Sequence, residues 1–457
     1  MLSLQDYNFS AHIHMYQHND MRILLDVNSG AIYELDKMGW DLIEKIAEYG
    51  GDTQKAGEVL SKVYSVGEIN ALIQDLEALI EQDALFTRPE PIDLDLLEFP
   101  VKAVCLNVAH SCNMKCQYCF ANQGNFGQKP ALMSLSTAKK AMEFLVNHSQ
   151  GVKNLEVDFF GGEPLLVKDM LVELVAYCRQ LEKQIGKRFN FTLTTNALEL
   201  DGRTIDWINN NDISVILSLD GRKETNDRHR VLKNGQGSYH YIVPRIKEMV
   251  ASRPKSYFVR GTFTRNNLDF TRDLEHMVGL GFDCISLEPA VGADNGFSIL
   301  PEDVAQVLQE YDRLTDLLYK YHKAGRDISF FHYNLDLQKG PCLAKRMTGC
   351  GAGLDYLAIT PEGDIYPCHQ FVGNQDFYMG NINTRFQSGL RKIFAQMQVK
   401  EKECSTCWAR NFCGGGCHAN AYNNNGEIGK PHQTSCKLHQ KRIEGAIYLA
   451  LKKSPVK

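Results

Sequence analysis

No stretch of this 457-residue chain approaches the ~20 consecutive apolar residues that a membrane-crossing helix needs, so no span is expected. The first residues, MLSLQDYNFS, lack a basic region followed by an apolar core; no signal peptide is expected, and the cytoplasm is the expected location. Lys and Arg never cluster into a stripe for a polyanion, and the formal net charge is −5, so nucleic acid is not an expected partner. Cysteine, by contrast, is plentiful. Fourteen thiols in a chain without a secretion signal point to metal or redox chemistry rather than a disulfide framework. The 44% hydrophobic and 23% charged composition is ordinary for a soluble globular protein. The length predicts roughly two to four domains, because one core rarely serves much more than ~250 residues.

Cys112, Cys116 and Cys119, in CNMKCQYC, follow an apolar run and supply only three thiolates. A structural zinc site wants four closed ligands, whereas an iron–sulfur cube held by three cysteines keeps one iron open. A zinc knuckle or simply buried thiols are the alternatives. The CxxxCxxC spacing, with Tyr118 before the third cysteine, resembles the radical S-adenosylmethionine (SAM) superfamily. That resemblance implies that the open iron chelates the amino acid end of SAM and that electron transfer releases a 5′-deoxyadenosyl radical. It also implies that Tyr118 touches adenine or covers the cluster.

Residues 1–87 read as a small adaptor. Three short strands, AHIHMY, RILLDV and AIYEL, are separated by turn signals at Asn19-Asp20 and Asn28-Ser29-Gly30. Three helical patterns follow, the last carrying an apolar stripe of Ile69, Leu72, Ile73, Leu76, Leu79 and Ile80. This is a winged-helix-like unit, but its third helix, EINALIQDLEALIEQ, is acidic and lacks Lys and Arg, which argues against nucleic acid. The pattern resembles the peptide-binding domain of ribosomal-peptide modifying enzymes. The resemblance implies that a leader peptide adds as a strand beside Ala31 to Leu35 and packs on the helix face over residues 67–82. A purely structural module is the alternative. The proline-rich, acidic segment 88–99 reads as a linker.

Residues 100–330 alternate strand and helix. Apolar, β-branched runs at 101–109, 155–160, 189–195, 213–219, 256–264 and 284–289 are separated by helical patterns. The expected class is α/β, and six units fit the partial (β/α)6 barrel that the radical SAM resemblance implies, with chemistry at the carboxyl ends of the strands. After the second strand, Gly161, Gly162, Glu163 and Pro164 resemble the family's GGEP motif, which holds the SAM amino group; two glycines permit close backbone approach. Thr195 and Asn196 after the third strand, Ser218 after the fourth, and Arg230 in NDRHR resemble family segments near SAM, with Arg230 toward its carboxylate. Glu288, at the end of the sixth strand, is expected to face the barrel interior. An ordinary loop or capping role is the alternative for each of these.

Residues 331–457 form a second cysteine domain. The block CSTCWARNFCGGGC, together with Cys350, Gly363, Cys368 and Cys436, resembles the SPASM domain of radical SAM peptide-modifying enzymes. That resemblance implies two auxiliary 4Fe-4S clusters and hence three in all. Cys342, Cys350, Cys368 and Cys417 would hold the first, and Cys404, Cys407, Cys413 and Cys436 the second. The eight-residue offset of Cys342 departs from the family pattern; without it one iron of the first auxiliary cluster is open to substrate. A zinc ribbon is the alternative. Cys105, Cys178 and Cys284 fall inside strand or helix patterns and read as small apolar residues.

Adaptor, barrel and SPASM domain in this order are similar to maturases of thioether-bridged ribosomal peptides, above all those of six-cysteine (SCIFF) peptides. The resemblance implies a radical SAM oxidoreductase making sactipeptide or ranthipeptide thioethers, supplied with electrons by a flavodoxin or ferredoxin. Formylglycine formation of the anaerobic sulfatase-maturase kind and carbon–carbon peptide crosslinking are alternatives. An iron–sulfur peptide-binding redox sensor without turnover is the non-enzymatic one. No catalytic base is assigned.

Overall fold

The computed structural model describes residues 4–90, 95–292, 296–337, 342–387 and 389–453. Part of the expected linker, residues 91–94, and the extreme ends of the chain lie outside the described residues.

A short helix, Phe9–His12, takes the first two residues of the expected first strand; after it the N-terminal unit has the expected three strands and three helices. Strands β1 (Ile13–His18), β2 (Met21–Asp26) and β3 (Ile32–Leu35) form an antiparallel sheet in the order β1-β2-β3. Helices Lys37–Glu48, Thr53–Leu60 and Val66–Glu81 start on side-chain caps from Asp36, Asp52 and Ser65, and Ser65 forms a reciprocal capping box with Glu68. Leu24, Leu42, Ile43, Ile46, Ile69 and Leu76 close the core between sheet and helices. The opposite face of the sheet, with Tyr16, Ile23 and Leu25, packs on Ile443, Ile447 and Tyr448 of the C-terminal helix Gln433–Lys453.

The six runs of the middle region become parallel strands β4 (Ala103–Ala109), β5 (Asn154–Gly161), β6 (Arg188–Thr195), β7 (Ser214–Ser218), β8 (Tyr257–Phe263) and β9 (Cys284–Pro289). Helices between them bury apolar faces against the outside of the sheet in one continuous core. The sheet continues past the six units at both ends. β10 (Ser329–Phe330) pairs in parallel with β9. On the other side β11 (Tyr356–Ile359) runs parallel to β4, and β12 (Ile365–Tyr366) pairs antiparallel with β11. The SPASM-like region therefore shares the barrel's sheet across the expected boundary at residue 330, covering the β4 edge that would otherwise leave unpaired backbone groups.

Candidate functional site

The carboxyl ends of the barrel strands open into a cavity of about 510 Å³. The three-cysteine loop follows β4, and the turn after β5 pins it: the Gly162 amide donates to the Ala109 carbonyl at 2.7 Å and the Glu163 amide to the Ser111 carbonyl at 3.0 Å. On its other side the Lys115 and Gln117 amides donate to the Val231 and His229 carbonyls, folding the loop over the segment that carries Arg230. Glycines make this packing possible. A Cβ on Gly162 would overlap the Ser111 carbonyl, and one on Gly124 (φ +97°) would stand 2.8 Å from the Cys112 Cβ.

Glu163 is fully buried. Its carboxylate accepts from the Leu165 amide (3.0 Å), the Thr195 hydroxyl (2.8 Å) and the Asn196 amide (2.8 Å). Burial pushes its carboxyl up to about 7, against these hydrogen bonds. The Asn196 side chain reaches Cys112 Sγ at 3.7 Å. Two of the sequence-predicted segments thus meet at one carboxylate, with Asn196 linking them to the first cysteine, and Pro164 opens the short turn that follows.

Tyr118 and Arg230 form a second buried group with Asp220. The Tyr118 hydroxyl donates to Asp220 at 2.7 Å, Arg230 Nη1 donates to the Tyr118 oxygen at 3.1 Å, and Arg230 stands 4.0 Å from Asp220 Oδ1. Burial works against the Arg230 charge, but Tyr118, Cys116 and Asp220 hold it firmly protonated. Arg230 Nε has no partner among the described residues. Burial pushes the Cys116 thiol up to about 11 even though the Arg230 charge favours its thiolate, and the Cys112 thiol up to about 12. Ligation must remove these protons, so metal capture and thiol ionisation are coupled here. Ser218 lines the same cavity at the end of β7.

The C-terminal cysteines fall into two groups. Burial pushes the Cys368 thiol up, and Cys350 and Cys417 push it further. Cys436 is pushed up to about 12 by burial and then by Cys413, Cys404 and Cys407. Cys368 thus stands near Cys350 and Cys417, and Cys436 near Cys413, Cys404 and Cys407; Cys342 is exposed ahead of the helix Leu343–Thr348. Solvent reaches Cys350 and Cys417 although their thiols are ringed by protein. Among the described residues no three thiols, imidazoles or carboxylates converge closely enough for a single metal ion; the cysteines stand in looser groups. The loop Gly414-Gly415-Gly416 has φ of +69°, +91° and +77°, and a Cβ on Gly414 would stand 2.6 Å from the Gly349 Cα. The donor sets and their glycine cradles fit iron–sulfur clusters.

The wall of this one cavity includes Cys112, Cys116 and Cys119 together with Cys413, Cys417 and Cys436. Sequence reasoning assigned no role to several groups along it. Glu288 does face the interior, where His332 (2.7 Å), Arg260 (3.6 Å) and Arg442 (3.9 Å) surround it and hold its carboxyl well below the usual range despite burial. His369, beside Cys368, packs on Phe160 at 4.8 Å between ring centroids. Outside this cavity, the buried Lys402 donates to the Gly415 carbonyl at 3.5 Å. Adjacency to Cys368 could have flagged His369; nothing in the sequence points to Arg442.

The family model of the radical SAM superfamily matches residues 106–277, and that of the SPASM iron–sulfur cluster-binding domain matches residues 350–413. The chain is 26% identical to the mycofactocin maturase MftC of Mycobacterium tuberculosis over 73% of its length and 83% of the relative's. It is 24% identical to a cysteine-type anaerobic sulfatase-maturating enzyme of Clostridium novyi over 68% of the chain and 86% of that enzyme. Among solved structures, anSMEcpe with bound AdoMet superposes with a TM-score of 0.64 at 19% identity, covering 76% of this chain and 98% of that one. Streptococcus suis SuiB bound to S-adenosylmethionine superposes with a TM-score of 0.55 at 16% identity, covering 95% and 99%. Barrel, cysteine loop and second cysteine block together identify the chain as a radical SAM protein with a SPASM iron–sulfur cluster-binding domain.

Proposed function

We propose that this protein is a peptide maturase that installs thioether crosslinks, cysteine sulfur to carbon, in a ribosomally made, cysteine-rich precursor peptide. The carrying observation is the single cavity whose wall joins the three-cysteine loop to Cys413, Cys417 and Cys436. A substrate carbon and a substrate thiol placed in it lie between a hydrogen-abstracting centre and a thiolate-rich one. The relatives include a mycofactocin maturase and a sulfatase-maturating enzyme, and SuiB has been solved bound to its precursor peptide SuiA, which supports a peptide substrate.

When bound, SAM and its cluster would supply the adenosyl radical, with about twelve irons in three four-iron clusters per chain. The chain's own residues do the rest. Cys112, Cys116 and Cys119 hold the first cluster, and Gly161, Gly162, Glu163, Pro164, Thr195, Asn196, Ser218, Tyr118 and Arg230 shape the SAM seat. Arg230 would supply a buried cation for the SAM carboxylate, and the Glu163 carboxylate would retain acceptor capacity for its ammonium. Cys350, Cys368 and Cys417, with or without Cys342, hold the first auxiliary cluster; Cys404, Cys407, Cys413 and Cys436 hold the second. The leader adds along β3, whose outer edge has no partner strand among the described residues. A flavodoxin or ferredoxin in the cytoplasm supplies electrons.

Each crosslink would pass one hydrogen atom from carbon to the adenosyl radical, release the thiol proton to solvent, and leave one electron for the first auxiliary cluster to accept. Mass spectrometry of a candidate precursor after anaerobic reaction should therefore show two hydrogens lost per crosslink and one fewer alkylatable thiol for each loss. The same mass loss with every cysteine still alkylatable would mean carbon–carbon bonding or dehydrogenation, and the thioether reading would be wrong.

A further inference from the structure

The span between Cys407 and Cys413 is held from outside its own domain. Arg410, buried in that span, donates to the Ala11 carbonyl and to Asn28 Oδ1, both at 2.6 Å, as well as to the Cys407 carbonyl at 3.1 Å. The Asn411 side-chain amide donates to the Val27 carbonyl at 2.7 Å. Trp408 lies flat on His14, with ring centroids 3.6 Å apart and planes 3° from parallel. Ala409 is buried in the cluster that holds Tyr16, Ile23 and Leu25. Every residue from 408 to 411 is thus seated on the N-terminal unit, and all four lie between two cysteines of one set.

The acceptors are as well fixed as the donors. Val27 and Asn28 begin the turn between β2 and β3, and the Asp26 carboxylate ties that turn through the Asn28 amide (3.1 Å), the Ser29 amide (3.0 Å) and the Thr87 amide (3.0 Å). Arg410 is a buried cation with no carboxylate hydrogen-bonded to it among the described residues; carbonyl and amide oxygens and the His12 ring nitrogen (3.1 Å) of the N-terminal unit satisfy it. A buried guanidinium stripped of such acceptors is strongly unfavourable, so the two pieces hold each other in place.

We propose that the N-terminal unit is a clamp on the second auxiliary cysteine set, with Arg410 and Asn411 as its positioning residues. Without the clamp the five-residue span between Cys407 and Cys413 loses its external anchors, and the set loses the spacing that four thiolates around one cluster require. The clamp acts through the turn that leads into β3, so it sits beside the edge at which a strand would add. It does not depend on thioether chemistry.

The test uses full-length, anaerobically reconstituted protein and follows iron release to a chelator. Electron paramagnetic resonance identifies the cluster lost, by comparison with a reference variant lacking Cys404 and Cys407. Arg410→Met should release that one cluster at least about tenfold faster than wild type, because a charge-assisted hydrogen bond contributes ~1.5–3 kcal/mol. Asn28→Ala, made on the N-terminal unit and milder for folding, should accelerate release of the same cluster. The two together should be less than additive because they remove one shared bond, and Arg410→Lys should recover part of the loss. Unchanged release in both Asn28→Ala and Arg410→Met, or equal acceleration for all clusters, would overturn the clamp. So would a wild-type protein with no cluster at Cys404, Cys407, Cys413 and Cys436. Failure to crosslink any peptide would sink the maturase reading and leave the clamp standing.

Discussion

At the scale of single residues, the cysteine loop depends on atoms that are missing. A methyl group on Gly162 would overlap the Ser111 carbonyl and stand 3.0 Å from the Cys112 nitrogen, both backbone atoms with nowhere to move. Gly162→Ala should therefore displace the loop, costing about four irons per chain and the production of 5′-deoxyadenosine, while Gly151→Ala, which meets nothing within 4 Å, should cost neither. Iron analysis and product chromatography on the two variants check this; normal iron and turnover in Gly162→Ala would contradict the cradle. The glycines and the cysteines were legible because few residue types can do what they do. Asp220 and Arg442 were not. The partner of Asp220, Tyr118, is 102 residues away, and Tyr311, which Arg442 binds, is 131 away, so only the fold brings them together. Glu163 was read as an acceptor for a ligand; the fold also makes it the acceptor that ties β5 to the turn after β6.

At the scale of elements, docking of the N-terminal sheet carries a titratable contact. His18 at the end of β1 bonds Asp312 (3.1 Å) and Asp316 (3.0 Å), both on the helix Val304–Lys323. Its ring packs on Tyr448 at 4.2 Å, and Lys441 also reaches Asp312 at 2.6 Å. Burial works to lower the His18 pKa, but the two carboxylates outweigh it and raise it above the ordinary value. A histidine whose folded pKa is raised stabilises fully below its unfolded value of about 6.5, and the contribution fades as pH rises through the folded value. Hydrogen exchange at β1 and β2, corrected for intrinsic rates, should therefore report tighter docking near pH 6 than near pH 8. His18→Gln should flatten that difference; a wild-type profile independent of pH would refute the contact's role. The six barrel strands were readable because each is a run of buried β-branched and aromatic residues. β10, β11 and β12 escaped because they are two to four residues long and the open edges of the β4–β9 sheet decide their pairing.

Across the whole molecule, one cavity serves two kinds of cysteine site held by different parts of the chain. The three-cysteine loop hangs on β4 and the turn after β5, whereas Cys436 rides on the C-terminal helix, and Cys404, Cys407 and Cys413 sit on the 3-10 turn Glu403–Thr406, just after it and on the short helix Arg410–Cys413, a segment packed on this helix and the N-terminal unit. Their losses should be separable. Replacing Cys112, Cys116 and Cys119 by alanine should abolish SAM cleavage and remove about four of some twelve irons, leaving the auxiliary signals intact. Cys368→Ala should do the reverse: its thiol is buried next to Cys350 and Cys417, far along the chain from the SAM loop. SAM cleavage without peptide should persist in that variant while crosslinking falls much further, provided β11 still pairs with β4 and the sheet stays whole. Circular dichroism and retention of the first-site iron test that condition. Equal loss of both activities with the fold intact would mean that the two cysteine regions work as one unit. The shared cavity would then be a single centre, and not two sites facing a substrate between them.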